Sequence, residues 1–161
     1  MEFEAFYTYT SMAFFFSRDN IALNGFHEFF KKSASEEISH AHQLMSHMND
    51  RGSKIRLGKL SVACAGNAPK AESTLNEPSL EYCDWQNPLI AITTARKLEF
   101  SVYDHLLKLR HAAEGDVGLS VLLESFIQEQ ISSIKQLSDL MTQLKRVEPC
   151  VGYYLIDKEL K

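Results

Sequence analysis

Cysteine is scarce in this chain, and the three present, Cys64, Cys83 and Cys150, are far apart with no Cys-x-x-Cys pair. That spacing excludes a zinc knuckle and offers no disulfide framework, so reduced, incidental thiols are the expectation. Glycine and proline are also few, seven and four in 161 residues, and 45% of the residues are hydrophobic, which excludes a disordered chain and leaves enough apolar material for a sizeable core. Basic residues do not dominate: 17 Lys and Arg stand against 21 Asp and Glu, for a net charge of -4. General affinity for nucleic acid or acidic lipid is thereby excluded, and a cation is the better-matched ligand. No apolar run reaches membrane-spanning length, and the region after Met1 has neither the basic start nor the apolar core of a signal peptide. What remains is one globular domain over 1–161.

Apolar residues three and four apart divide the chain into helices. The first is predicted over about 1–16 and ends before Ser17-Arg18-Asp19-Asn20, where Asp19 or Asn20 offers a cap for a second helix over 21–50. Gly52 stops that helix. Periodicity then vanishes over about 52–85, a stretch containing ACAGNAPKAESTLNEPS, which predicts a long exposed loop. Pro88 opens a third helix over 88–113, Glu114-Gly115-Asp116 connects it to a fourth over 117–147, and Pro149 precedes a short fifth segment over 152–160. No segment alternates as a strand. The fold class is all-α: a four-helix bundle with one long crossover loop, which lets the second and third helices run parallel, and a short C-terminal helix.

The core-facing stripe of each helix carries a polar interruption. The first reads Glu2, Ala5, Tyr9, Met12, Phe16, and the second Phe26, Phe30, Ser33, Glu37, His40, Leu44. The third reads Ile92, Ala95, Glu99, Val102, Leu106, Leu109, and the fourth Leu123, Ile127, Gln130, Ile134, Leu137, Met141, Leu144. A lone glutamate at the end of a stripe, as Glu2 is, ordinarily reaches solvent. Glu37 and Glu99 lie mid-stripe, where desolvating an unpartnered carboxylate costs several kcal/mol. If the stripes face one another, three carboxylates, an imidazole and an amide converge, and divalent cations offset that cost. Glu37 and His40, three apart, share a helix face and can bind one ion. Carboxylates with a single imidazole suit iron, the first choice, or manganese better than zinc in a thiolate site, and calcium seldom uses histidine. The fourth helix offers Gln130 and no second Glu-x-x-His, so a second metal is held weakly and can leave.

Together with YTYTSMAFFFSRDNIAL, EEISHAHQLM, NDRG, LEFSVYDHLL and EQISSIKQLSDLMTQLK, this pattern resembles the ferritins, specifically the eukaryotic type with a ferroxidase centre. The resemblance covers nearly the whole chain apart from the long loop. It implies a first iron site of Glu2, Glu37 and His40, a second around Glu37 and Glu99 with Glu37 bridging, Tyr9 beside the centre and Gln130 as its hydrogen-bonding glutamine. It further implies oxidation of Fe(II) by dioxygen and storage of ferric oxide in a hollow shell of twenty-four like or mixed subunits, in the cytoplasm. A secreted or yolk-granule location is the alternative, if a signal precedes this sequence.

Four departures from the family pattern set further expectations. The family's first helix begins well before the position of Glu2, which places Glu2 in a first turn prone to fraying. The loop is roughly twice the family length, AGNAPKAESTLNE being most of the excess, as in invertebrate yolk ferritins that carry insertions there; a tolerated exposed insertion is the favoured reading. Of the family's mineral-nucleating acids only Glu36 is matched, with Ser39 and His42 at the other positions. At the threefold iron channel, GLSVLLESF leaves Glu124 as the candidate acid, with Ser120 or Val121 where an aspartate is usual. The competing reading is a truncated or structural subunit with impaired ferroxidase activity.

Overall fold

Helix α1 (Glu2–Phe16) packs along α2 (Asn24–Asp50), and α3 (Pro88–Ala112) along α4 (Val117–Arg146), while the short α5 (Val151–Glu159) rests on α2 and α4. The computed structural model describes residues 1–60 and 83–160; most of the expected loop, including AGNAPKAESTLNE, lies outside the described residues. Among the described residues all regular structure is helical, and no helix is long and apolar enough to cross a membrane. At the far end of α2, His47 and Arg51 lie 3.3 and 3.2 Å from Asp116, at the start of α4. The C-terminal ends of α2 and α3 therefore lie at the same end of the bundle, and these two helices run parallel, as a long crossover permits.

Local chemistry sets the ends of the elements. Asn87 accepts a hydrogen bond from the Ile90 N–H at 3.1 Å and Pro88 sits in the first turn, so α3 starts with a side-chain cap and a residue that needs no backbone donor. Asp116 does the same for α4, accepting from the Leu119 N–H at 3.0 Å. Gly52, at φ +73°, takes the left-handed turn that closes α2. The start of α2 corrects the expectation of an Asp19 or Asn20 cap. A turn with Ala22 at φ +55° delays the helix to Asn24, and its N-cap, Leu23, has no side-chain acceptor to offer. Asp157 on α5 supplies one instead, accepting from the N–H groups of Gly25 at 2.6 Å and Phe26 at 3.0 Å.

The core is aromatic where α1 meets α2. Phe16 stacks on Phe30 with ring centroids 5.6 Å apart, and Phe30 on Tyr9 at 6.0 Å, all three rings fully buried. Trp85, also buried, donates its indole N–H to Ser11 at 3.2 Å and ties the approach to α3 onto α1. Nearly all apolar stripe positions are buried or half-buried; Leu109 is instead exposed, near the end of α3. Cys83 is buried and disulfide-bonded, which corrects the reduced-thiol reading for that residue; its partner lies outside the described residues, and Cys150 is free and exposed.

Candidate metal centre

Each helix of the bundle brings one buried polar residue or more to the same level. Glu2 and Tyr9 come from α1, Glu37 and His40 from α2, Glu99 from α3 and Gln130 from α4, and all six are buried, none exposing more than 9% of its surface. The spacing explains their convergence. Positions 37 and 40 are one turn apart on α2, and 2 and 9 two turns apart on α1, so each pair shares the core-facing side. Glu2 does not reach solvent as a lone terminal glutamate would. The Ala5 N–H to Met1 carbonyl bond, 2.9 Å, closes its turn and keeps it against the core.

The six residues form two groups. One oxygen from each of Glu2 and Glu37 and one ring nitrogen of His40 lie within 4.8 Å of one another, a spacing that one metal ion can span. The Nδ1 of His40 is 3.8 Å from Glu37 Oε2. Among the described residues Glu2 Oε2 and Glu37 Oε2 are buried without a hydrogen-bond partner, and the His40 Nδ1 at 3.8 Å gives Glu37 Oε2 an ion-pair contact only. The Glu99 carboxylate is served by neutral donors: the Tyr9 hydroxyl donates to one oxygen, and the Gln130 amide donates to the other and, at 3.0 Å, to the Glu99 backbone carbonyl.

Burial and mutual repulsion shape the protonation of the cluster. Burial, reinforced by Glu37, pushes the Glu2 carboxyl up to about 8. Burial likewise pushes Glu99 up to about 7, against the opposing effect of the Tyr9 hydrogen bond. Tyr9 itself is raised well above the usual phenol range by burial and by Glu99, so it stays a neutral donor. For His40 burial acts to lower the value, but contacts with Glu37 and Glu129 outweigh it and hold the imidazole up to about 9. Without metal, protons therefore neutralise much of the negative charge that a cation would otherwise balance.

Stripe reading missed Glu129. Its side chain is 59% exposed, yet Oε2 lies 2.8 Å from His40 Nε2. It stands beside the stripe residue Gln130, on the flank of α4 that faces α2, and flanking positions of that kind are where a partner for a buried histidine would have to be sought. Other expected positions lie apart from the centre. Glu36 is exposed and 3.6 Å from Lys32, and Glu124 is exposed and 3.7 Å from Arg110. Ser39 and His42 are exposed on the same helix as Glu36, and Val121 is exposed on α4. His47, which lies off the stripes, is 3.3 Å from Asp116.

Residues 1–147 match the family described as the ferritin-like domain. The chain is 41% identical over 162 residues to soma ferritin of Lymnaea stagnalis, covering 99% of this chain and 83% of that protein. It is 38% identical to the ferritin middle subunit of Salmo salar, covering 98% and 84%. It is 37% identical to the ferritin heavy chain of Echinococcus granulosus, covering 99% and 84%.

Proposed function

Because the chain belongs to the ferritin family, whose business is iron storage, we propose that it is a ferroxidase-active storage subunit. On this reading it oxidises Fe(II) with dioxygen at a di-iron centre inside its own bundle and passes the product to a shell of like or mixed subunits. The observation that carries the reading is the pair of orphaned buried oxygens, Glu2 Oε2 and Glu37 Oε2, beside His40. An unsatisfied buried carboxylate is costly, and a divalent cation is the partner whose charge and oxygen preference offset the cost.

Glu2, Glu37 and His40 hold the first ferrous ion. Glu37 reaches toward the second, which Glu99 holds once its carboxylate turns from Tyr9 and Gln130. Iron here is substrate rather than resident cofactor. Each ferrous ion gives up one electron; a pair delivers two, which with two protons take dioxygen to hydrogen peroxide. The carboxylates favour the higher charge of the product, and the protons they surrender on binding metal are released next to the acceptor. Gln130, a neutral amide, adds no charge to the second position, so oxidised iron is held weakly and departs. Glu36 remains the proposed nucleating acid and Glu124 the proposed channel acid, each pairing with a neighbouring cation in the free subunit.

The purified protein, mixed aerobically with a ferrous salt, is expected to oxidise it faster than buffer, and Glu37→Ala with His40→Ala to remove the advantage. Equal rates for wild type and buffer would support the competing reading, a structural subunit with an impaired centre.

A further inference from the structure

α4 contributes no carboxylate to the buried trio, yet three of its residues converge on the groups that form the centre. Phe126 packs against the His40 ring at 4.4 Å between centroids, Glu129 meets His40 Nε2 at 2.8 Å, and Gln130 holds Glu99. We infer that Glu129 is a positioning residue for His40: it accepts the Nε2–H and so leaves Nδ1, on the side of Glu37, as the nitrogen that gives up its proton when a metal binds. The inference rests on the reading of the centre given above and adds a residue to it.

The argument is one of tautomers. A neutral imidazole has one N–H and one lone pair, and it binds a cation only through the nitrogen without the proton. A free histidine divides itself between two tautomers and several ring orientations. An acceptor fixed at Nε2 selects the form with hydrogen there, and with it the nitrogen that meets the metal. The distances agree, since Nδ1 is the nitrogen facing Glu37, at 3.8 Å, while Nε2 faces outward to Glu129. Phe126, three residues before Glu129 on the same helix, restrains the flat face of the ring, so α4 restrains both its tilt and its tautomer. Glu129 is mostly exposed, so it is not required by the core and can be replaced without leaving a cavity.

The chemistry needed from Glu129 is an acceptor, which a glutamine also supplies; its negative charge is incidental. That separates positioning from direct binding of a cation. The test uses the full chain with Zn(II), a redox-inert probe, titrated in competition with a chromophoric chelator, and nitrogen NMR of the histidine side chains in the zinc-loaded protein. Glu129→Ala should weaken binding about 10- to 100-fold, while Glu129→Gln should stay within roughly threefold of wild type. The NMR spectrum should show zinc on Nδ1 and hydrogen on Nε2 of His40. Wild-type affinity in Glu129→Ala, equal losses in both variants, or zinc on Nε2 would each overturn the assignment. Failure of the wild type to bind zinc, or undiminished binding in Glu37→Ala, would instead overturn the reading of the centre itself.

Discussion

Gly25 lies directly beneath Asp157: its N–H donates to the aspartate at 2.6 Å, and a Cβ built on it would fall 1.9 Å from the Asp157 carbonyl oxygen. Two segments 132 residues apart in sequence are thus joined at the N-terminus of α2, the helix that carries Glu37 and His40. The cap and the small residue form one device, because the aspartate can approach only where no side chain intervenes.

Replacing either residue should loosen α5. Asp157→Ala removes the acceptor for two helix N–H groups and is expected to cost about 1 to 2 kcal/mol in urea unfolding. Gly25→Ala forces backbone against backbone and should destabilise at least as much, with α5 the first segment to lose protection from hydrogen exchange. A double variant no worse than the more damaging single one would show that the two act through the same contact.

The metal-free protein should grow less stable as pH rises. Glu2 and Glu99, at about 8 and about 7, keep their protons in the folded chain where the unfolded chain, near 4.5, has released them. Their contribution is complete below 4.5 and lost as pH climbs through the folded values. His40, held up to about 9 against 6.5, adds a loss of the same sign over the higher part of the range. Thermal unfolding of demetallated protein between pH 5 and 9 checks this, and Glu2→Gln should flatten the slope.

Metal should reverse that weakness. Fe(II) added without oxygen, at about a hundredfold its dissociation constant, should stabilise the fold by about 2.7 kcal/mol and raise the melting temperature. Glu37→Ala with His40→Ala should abolish the rise. Calorimetry on sealed anaerobic samples provides the comparison.

Tyr9→Phe tests the second half of the centre. The Tyr9 hydrogen bond is the main influence lowering the Glu99 carboxyl, so its removal should move Glu99 upward. Metal must then displace a more tightly held proton, and the pH at which the second metal binds should shift upward while the first site, which does not include the Tyr9 acceptor Glu99, keeps its midpoint. Zinc titrations at several pH values separate the two events.

How much of this was legible beforehand depends on whether a residue's partner lay on a periodic stripe. Glu37, His40, Glu99 and Gln130 break stripes that are otherwise largely apolar, and those interruptions are buried polar groups of the centre. Asp157 could not be read, since a cap normally comes from the residue at the helix start and this one comes from another helix. Glu129 escaped for a different reason: an exposed glutamate beside a stripe looks like a solvated helix face until the histidine opposite is located. Leu109 fits the heptad but lies near the end of α3, where it remains exposed. The Cys83 disulfide has no spacing signature, because bond geometry depends on a fold that the separation of cysteines does not specify.

The most direct test counts ferrous ions. Under strict anaerobiosis, equilibrium titration of the metal-free protein with Fe(II), followed by oxygen and quantification of the iron retained, measures both binding and oxidation at the centre. Two ferrous ions per chain, lost together with their oxidation when Glu37 and His40 are replaced by alanine, is the predicted result. Binding and oxidation equal in the wild type and that double variant would contradict it.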